Sequence, residues 1–483
     1  MSSGHLASGS IHVLGRVVPL PPLFLERMSH FLGDEFDAFC ASLEAKPASG
    51  LRLNTLKLSA GEFRALLSFP LGEAIPWCQA AWQLTESDHS LGLHPYHLAG
   101  LYYLQDPSAM AVAPSLEPQP NERVLDLTAA PGGKTTHLAT LMQGRGLLVA
   151  NEIKEKRIGH LIVNLERWGA GNVVVTNETP ERLAEHFGAW FDRVLVDAPC
   201  SGEGMFRKDP IARRDWSPDM VEGCALRQTN ILRTAAHLVR PGGRLLYSTC
   251  TFAPEENEGV LARFLQEHSD FEVEALSSFP GFERGRPEWL KMPLKPSLQQ
   301  ALQRAVRLFP HRVFGDGHFL CRLRRRSGEE ATRLPDERLE KPNRIQYEQW
   351  AAFAAETLKI RWSEERLRVR AERLYLLPET MPDFGDLRLI MPGVWLGTFK
   401  KGRFEPAHAL ALFLRPDQMQ RAIDLPVDSR EIRAYLRGES LDGGNGRSWT
   451  VVTVNGWPLG WGKVVQGVLK NHYPRGWMSG GWA

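Results

Sequence analysis

The sequence has no run of about 18 uncharged apolar residues, the minimum for a membrane-spanning helix, so no span is expected. It has no C-x-x-C pair either. Its six cysteines, at 40, 78, 200, 224, 250 and 321, are scattered, and no histidine sits near them at metal-ligand spacing. A structural zinc module and a disulfide scaffold are thereby disfavoured, and the expectation is of reduced thiols, no metal and a cytoplasmic protein. The opening MSSGHLASGS lacks the basic start and apolar stretch of a secretory signal, and residues 1–20 are expected to form a flexible tail. An excess of one charge is also missing. Lys and Arg number 58 against 56 Asp and Glu, a formal +2, so any polyanion must be met by local basic patches.

What is present is a 483-residue chain, 43% hydrophobic and 24% charged, the balance of a globular protein with several domains. Residues 21–119 read as an α+β unit. PPLFLERMSHFLGDEFDAFCASL has helical apolar spacing, and GLRLNTLKL alternates like an edge strand. From residue 120 to 325 short apolar runs (RVLDLTA, GLLVANE, NVVVTN, FDRVLVDAP, GRLLYSTC) alternate with amphipathic stretches, the signature of βαβ units on a parallel sheet. FEVEAL and GHFLCRL then suggest an antiparallel edge. Residues 326–344 are charged and contain proline, as a linker would, and Arg324-Arg325-Arg326 reads as solvated linker charge. From 345 to 483 short strands and turns return.

VLDLTAAPGGKTTHLA is strand, tight turn, helix. Glycines allow a ligand close to the backbone, and the helix start presents free N–H groups. A P-loop would need glycine where Thr128 stands, and a G-x-G-x-x-G fingerprint is absent, so a phosphate-anchored nucleotide is disfavoured. Glu152, about 20 residues on at the next strand tip, is placed to grip ribose hydroxyls. A ligand with a ribose but no phosphate fits, and S-adenosylmethionine is one.

VDAPCSGEG puts Asp197 and Cys200 at the end of the fourth strand of this region, and YSTCTFAPEENE puts Cys250 at the end of the fifth. Open α/β sheets collect ligands at those ends, so the two thiols and the carboxylate are expected in one crevice. Cys40, Cys78, Cys224 and Cys321 are expected to be ordinary buried thiols. A thiolate beside a methyl donor suits cytosine carbon 5, a poor nucleophile until sulfur adds at carbon 6. Asp197 is then a candidate general acid at ring nitrogen 3. Amino-group methylation would instead favour an Asn/Asp-Pro-Pro-aromatic loop, and residues 197–200 read Asp-Ala-Pro-Cys.

LDLTAAPGGKT, VDAPCSGEG and YSTCTFAPEENE resemble the signature segments of the Nop/Sun group of RNA 5-methylcytosine methyltransferases. FLERMSHFLGDEF, GLRLNTLK, HLAGLYYLQDPSAM and LGWGKVVQGVLKNHYPRG extend the likeness toward a bacterial ribosomal RNA member of that group, over nearly the whole chain. The resemblance implies an α/β fold with a Rossmann-like, seven-stranded methyltransferase core. It implies Cys250 as nucleophile and Cys200 as the releasing thiol. Thr128, Ala129, Ala130, Pro131, Gly132, Gly133, Lys134, Glu152, Arg157, Asn177 and Asp197 would line the S-adenosylmethionine site. Thr128 departs from the Cys or Ala of many members, and Asn177 from their Asp; an amide at 177 can still donate to and accept from an adenine edge.

The resemblance further implies a ferredoxin- or RRM-like insert followed by a PUA-like RNA-binding fold at the C-terminus. Residues 443–483 carry Arg447, Lys463, Lys470 and Arg475, no acidic side chain, and Trp449, Trp457, Trp461, Trp477 and Trp482, a composition that fits either an RNA-facing surface or an aromatic core. The expected activity is methylation of small-subunit ribosomal RNA by a monomer. Transfer RNA as substrate, or a non-catalytic RNA-binding assembly factor, stand as alternatives.

Overall fold

The computed structural model describes residues 18–67, 69–84, 89–329, 333–445 and 447–477, so the expected tail at 1–20 and Trp482 lie almost wholly outside the described residues. Five β-rich apolar runs form the parallel strands β1 (Arg123–Asp126), β2 (Leu147–Asn151), β3 (Val173–Thr176), β4 (Phe191–Asp197) and β5 (Val239–Thr249). Their order across the sheet is β3-β2-β1-β4-β5. The strand order reverses between β1 and β4, which opens a crevice at their carboxyl ends.

Helices α1 (Gly133–Leu141), α2 (Glu155–Trp168), α3 (Pro180–Phe187) and α4 (Pro218–Leu238) cross between the strands. The physics of α2 is typical of them. Ile158, Leu161, Leu165 and Trp168 fall at helical spacing and are its buried face, and Gly169 ends it at φ +72°, a conformation that glycine adopts without a Cβ clash.

Beyond β5 come β6 (Phe271–Glu274), β7 (Phe282–Arg284), β8 (Val306–Leu308) and β9 (His318–Arg325). β9 runs antiparallel to β5, and both β6 and β8 pair with it at different registers. The five parallel strands with β9 and β6 make up the expected seven. The sheet is wider, at ten strands, because β7, β8 and a strand from the C-terminal region, Leu389–Met391, are added. Leu389–Met391 pairs antiparallel with β3, so the segment beyond 345 is built into the catalytic sheet.

The arginine run is only partly solvated: Arg324 and Arg326 keep 51% and 55% of their side chains exposed, whereas Arg325 is held by the sheet. Arg325 pairs with Asp270 at 3.0 Å and donates to the Val239 carbonyl at 2.7 Å, while Arg324 and Arg326 lie 4.0 and 3.8 Å from Glu274 and Glu272. Strand β6 and the turn before it supply the acids, a pairing invisible until β6 and β9 are laid side by side.

In the N-terminal region Gly50–Leu53 is the central strand of a three-stranded sheet, not an edge, and is buried at every position. Helices Pro22–Leu32 and Phe36–Glu44 bury Phe24, Met28, Phe39 and Leu43 against Phe206, Trp216 and Phe252, and so brace the loops after β4 and β5.

The expectation of a ferredoxin- or RRM-like insert is not met. Leu367–Arg370, Arg373–Leu376, Val394–Lys400 and Arg403–Pro406 form an antiparallel sheet that follows chain order, with Leu389–Met391 leaving for the large sheet between the second and third, and without the split βαβ crossover. A two-residue turn explains the first hairpin: Ala371 and Glu372 both have positive φ, which matches the strand twist. A five-stranded sheet follows. Trp449, Trp457 and Trp461 are buried there, so these tryptophans are core, not an open RNA face. Trp477 is half-buried beneath the Arg167 guanidinium at 5.4 Å. No helix among the described residues is long and apolar enough to cross a membrane.

Candidate active site

All six cysteines are free thiols. Cys78, Cys224 and Cys321 are buried as expected. Cys40 is not; it lies half-buried on helix Phe36–Glu44. Cys200 and Cys250 are half-buried at the tips of β4 and β5, and their sulfurs lie 3.3 Å apart. The contact to Cys250, reinforced by burial, holds the Cys200 thiol well above the ordinary thiol range.

Two loops clasp each other to set that distance. Glu203, after β4, accepts from the Phe252 N–H at 2.8 Å; Glu256, after β5, accepts from the Ser201 N–H at 3.0 Å. Each carboxylate thus ties down the other loop's backbone. Glu203 is further held by Trp216 Nε1 at 3.0 Å and Glu256 by Gln228 Nε2 at 2.7 Å. Burial raises both, Glu256 to about 7. The Gly204 N–H donates to the Cys250 carbonyl at 2.8 Å, and a Cβ there would meet that same oxygen at 2.9 Å. Only glycine lets the Cys250 backbone come so close.

Asp197 faces the thiols from the tip of β4. Its Oδ2 lies 2.7 Å from Lys134 Nζ; its Oδ1 accepts from Ser248 Oγ at 2.7 Å, with His318 Nε2 at 3.9 Å. Burial favours the neutral acid, but the Lys134 charge, with His318 behind it, holds Asp197 well below the usual carboxylate range. Burial opposes the Lys134 charge too, yet attraction to Asp197, with a smaller pull from Cys250, raises it above its ordinary value. Asp197 is therefore an ionised acceptor and not the proton donor expected from the sequence.

The glycine turn lies beside this pair. Gly132, at φ +109°, caps α1, and a Cβ on it would press on Leu161 at 3.2 Å. Ala129 N–H donates to the Asn151 carbonyl, Thr128 Oγ1 to the Asp197 carbonyl, and Asn164 to the Pro131 carbonyl, pinning the turn to two strand tips and to α2. Arg157 donates to the Ala130 carbonyl and lies 3.3 Å from Glu152 Oε2, which brings these three expected residues together.

Glu152 is not a solvated loop acid. It is 2% exposed; Oε1 accepts from the Lys154 N–H, while Oε2 is buried with no hydrogen-bond partner. A carboxylate oxygen orphaned in this sense, beside the Arg157 charge but with no hydrogen bond, at a strand tip by the glycine turn, is what a hydroxyl-bearing ligand would satisfy. The residues present fit S-adenosylmethionine. Asn177 behaves differently from expectation: both amide hydrogens are spent on the Glu152 and Ile153 carbonyls, at 2.7 and 3.1 Å, so it shapes the rim and keeps only its oxygen for an adenine amino group.

Sequence reasoning overlooked several groups. Ser248 stands inside the LLYSTC strand and His318 is the second residue of GHFLCRL, but nothing local marks either as an Asp197 partner. Asp126, buried at the tip of β1 and pushed by burial up to about 7, accepts from Thr135 Oγ1 at 2.7 Å and braces the start of α1. Arg52, from the N-terminal sheet, donates to the Gly133 carbonyl and to Thr136 Oγ1, both at 2.9 Å. Among the described residues no cluster of three or more His, Cys, Asp or Glu could hold a metal.

Parallel strands in 3-2-1-4-5 order, an antiparallel β9 and a glycine turn beside an orphaned acid define a Rossmann-like methyltransferase. The chain belongs to the family described as 16S rRNA methyltransferase RsmB/F, whose model matches residues 113–324. Flanking matches are the N-terminal domain of 16S rRNA methyltransferase RsmF (20–107), the RsmF first C-terminal domain (352–414) and the RsmF PUA domain (422–479). Among relatives, ribosomal RNA small subunit methyltransferase F of Erwinia tasmaniensis is 35% identical over 477 residues, covering 94% of this chain and 96% of its own. The Aeromonas salmonicida protein of the same name is 33% identical, with 94% and 96% covered. Among solved structures, a methyltransferase homolog protein from Pyrococcus horikoshii is 30% identical, with TM-score 0.56 over 63% of this chain and 94% of that one. The structure of NSun6 from Pyrococcus horikoshii with SFG, at 21% identity, shares the fold, with TM-score 0.54 over 65% of this chain and 100% of that one.

Proposed function

We propose that this enzyme forms 5-methylcytosine in small-subunit ribosomal RNA, with S-adenosylmethionine as methyl donor and Cys250 as the covalent nucleophile. The observation that carries the reading is the thiol pair at 3.3 Å, set beside the Lys134–Asp197 ion pair at 2.7 Å. Nitrogen or oxygen methylation requires no thiol, and a structural role for two cysteines would bury them both.

The steps follow from the side chains. The Cys250 thiolate, with the Lys134 charge near it, bonds to pyrimidine carbon 6. As electrons move toward ring nitrogen 3, Lys134 supplies a proton there, while ionised Asp197 accepts from the exocyclic amino group. Carbon 5 is now nucleophilic. The 128–134 turn, Glu152 and Arg157 would hold S-adenosylmethionine, which would supply the electrophilic methyl to carbon 5 and leave as S-adenosylhomocysteine. Cys200, deprotonated at that stage, removes the carbon 5 proton; the Cys250–carbon 6 bond breaks and the ring returns its nitrogen proton to Lys134. Cys200 has given its own proton to solvent before it takes the one from carbon 5, so both thiols and Lys134 end as they began and solvent has gained one proton.

A ribosomal RNA substrate places the enzyme in the cytoplasm. Nucleoside digestion of RNA methylated in vitro should yield 5-methylcytidine, and bisulfite sequencing of ribosomal RNA from a strain lacking the protein should show the loss of specific protected cytosines. A methyl found on nitrogen or oxygen would overturn the reading.

A further inference from the structure

We propose that a cavity on the far side of α1 from the thiols is a subsite for nucleotides of the RNA other than the reacting base. The inference rests on RNA being the substrate, as proposed above, but not on which atom is methylated.

The cavity measures about 940 Å³ and lies between the N-terminal sheet, which contributes Arg52 and Trp82, and α1, which contributes His137. Trp77 and Phe279 complete aromatic walls, which suit base faces. Among its described lining residues none is acidic. Two side chains in it are nine-tenths buried or more and incompletely paired: Arg52, 1% exposed, leaves Nη1 without a partner, and His137, 4% exposed, leaves Nδ1 without one. Those two nitrogens are themselves covered, so the cavity offers an occupant its aromatic walls and a positive edge, not these atoms.

At the mouth, Arg64 is exposed, resting over the Trp82 ring at 5.6 Å with no acidic partner among the described residues, and is available to a phosphate. Small-ligand sites span roughly 300–1,000 Å³, so a cavity at the upper end takes more than one nucleotide unit, which favours a strand over a free mononucleotide. Arg52 also links the cavity to the glycine turn through its bonds to Gly133 and Thr136, so an occupant touches the residue that braces α1.

The test uses the full chain and an unmethylated small-subunit ribosomal RNA transcript. Arg64→Ala and Gln79→Glu change exposed residues at the cavity mouth, and thermal melting checks that both variants remain folded. Each should weaken RNA binding at least fivefold by anisotropy while S-adenosylmethionine affinity stays at the wild-type value. RNA carrying 4-thiouridine should crosslink to peptides containing Trp77, Trp82 or Phe279. RNA affinity within fivefold of wild type for both variants, with crosslinks mapping elsewhere, overturns the proposal. So does cytidine monophosphate binding that the variants lose while RNA binding is retained, since the cavity would then serve a free nucleotide. Because the readout is RNA binding, a failure of the carbon 5 chemistry leaves this test standing, and a protein that binds no RNA at all would fail the earlier reading first.

Discussion

Glu203 and Glu256 exchange places across the active site, each leaving its own loop to accept a backbone N–H from the other, at 2.8 and 3.0 Å. The reciprocal clasp fixes two thiols from different strands at hydrogen-bonding range without a disulfide. A buried carboxylate on an N–H is a strong tie because no water competes for it.

The two thiols should fail differently. Cys250→Ala should abolish methyl transfer, since no sulfur is left to add to the ring. Cys200→Ala should instead accumulate a covalent RNA adduct, seen as a denaturation-resistant band shift, because addition proceeds and release does not. A stable adduct formed only by the Cys250 variant would reverse the roles.

Lys134→Met should lower kcat by about 10²–10⁴-fold, the usual range for a general acid, with the KM for RNA little changed. Asp197→Asn leaves Lys134 buried without its counter-charge and should cost roughly 3–5 kcal/mol of stability. The sign with pH follows from the depressed Asp197 value: its contribution is present above the ordinary carboxylate pKa and is lost as acid approaches the folded one. The gap between wild-type and Asp197→Asn unfolding midpoints should therefore narrow below about pH 4. A gap constant down to pH 2 would contradict the ion pair.

Glu256 carries the opposite sign. Its value is raised from 4.5 to about 7, so its contribution is full below pH 4.5 and is lost as pH rises through 7. Relative to Glu256→Gln, the wild type should lose up to about 3 kcal/mol between those limits. Urea unfolding of both proteins at pH 5 and pH 8 measures it, and parallel pH profiles would refute it.

Glu152→Ala removes the orphaned carboxylate at the β2 tip. S-adenosylmethionine affinity should fall about 10–100-fold, the cost of a hydrogen bond to a charged group, with RNA affinity unchanged. Calorimetric titration with cofactor and anisotropy with RNA separate the two, and an unaltered cofactor affinity would remove Glu152 from the site.

Much of this protein was legible one segment at a time. Alternating apolar runs and amphipathic stretches determine a parallel sheet with crossover helices, and the chemistry of LTAAPGGKT, DAPC and STCT is local enough to place a cofactor turn and two thiols at strand tips. Only the tertiary structure decided who faces whom. Asp197 changes from acid to ionised acceptor because Lys134, 63 positions earlier, and His318, 121 later, converge on it. The arginine run becomes a paired strand because β6 supplies carboxylates, and three tryptophans that could have faced RNA are core because a five-stranded sheet closes over them. Periodicity reports which side of an element is apolar. Ionisation, by contrast, depends on burial and on charges brought together by distant segments, and those exist only after the chain has folded.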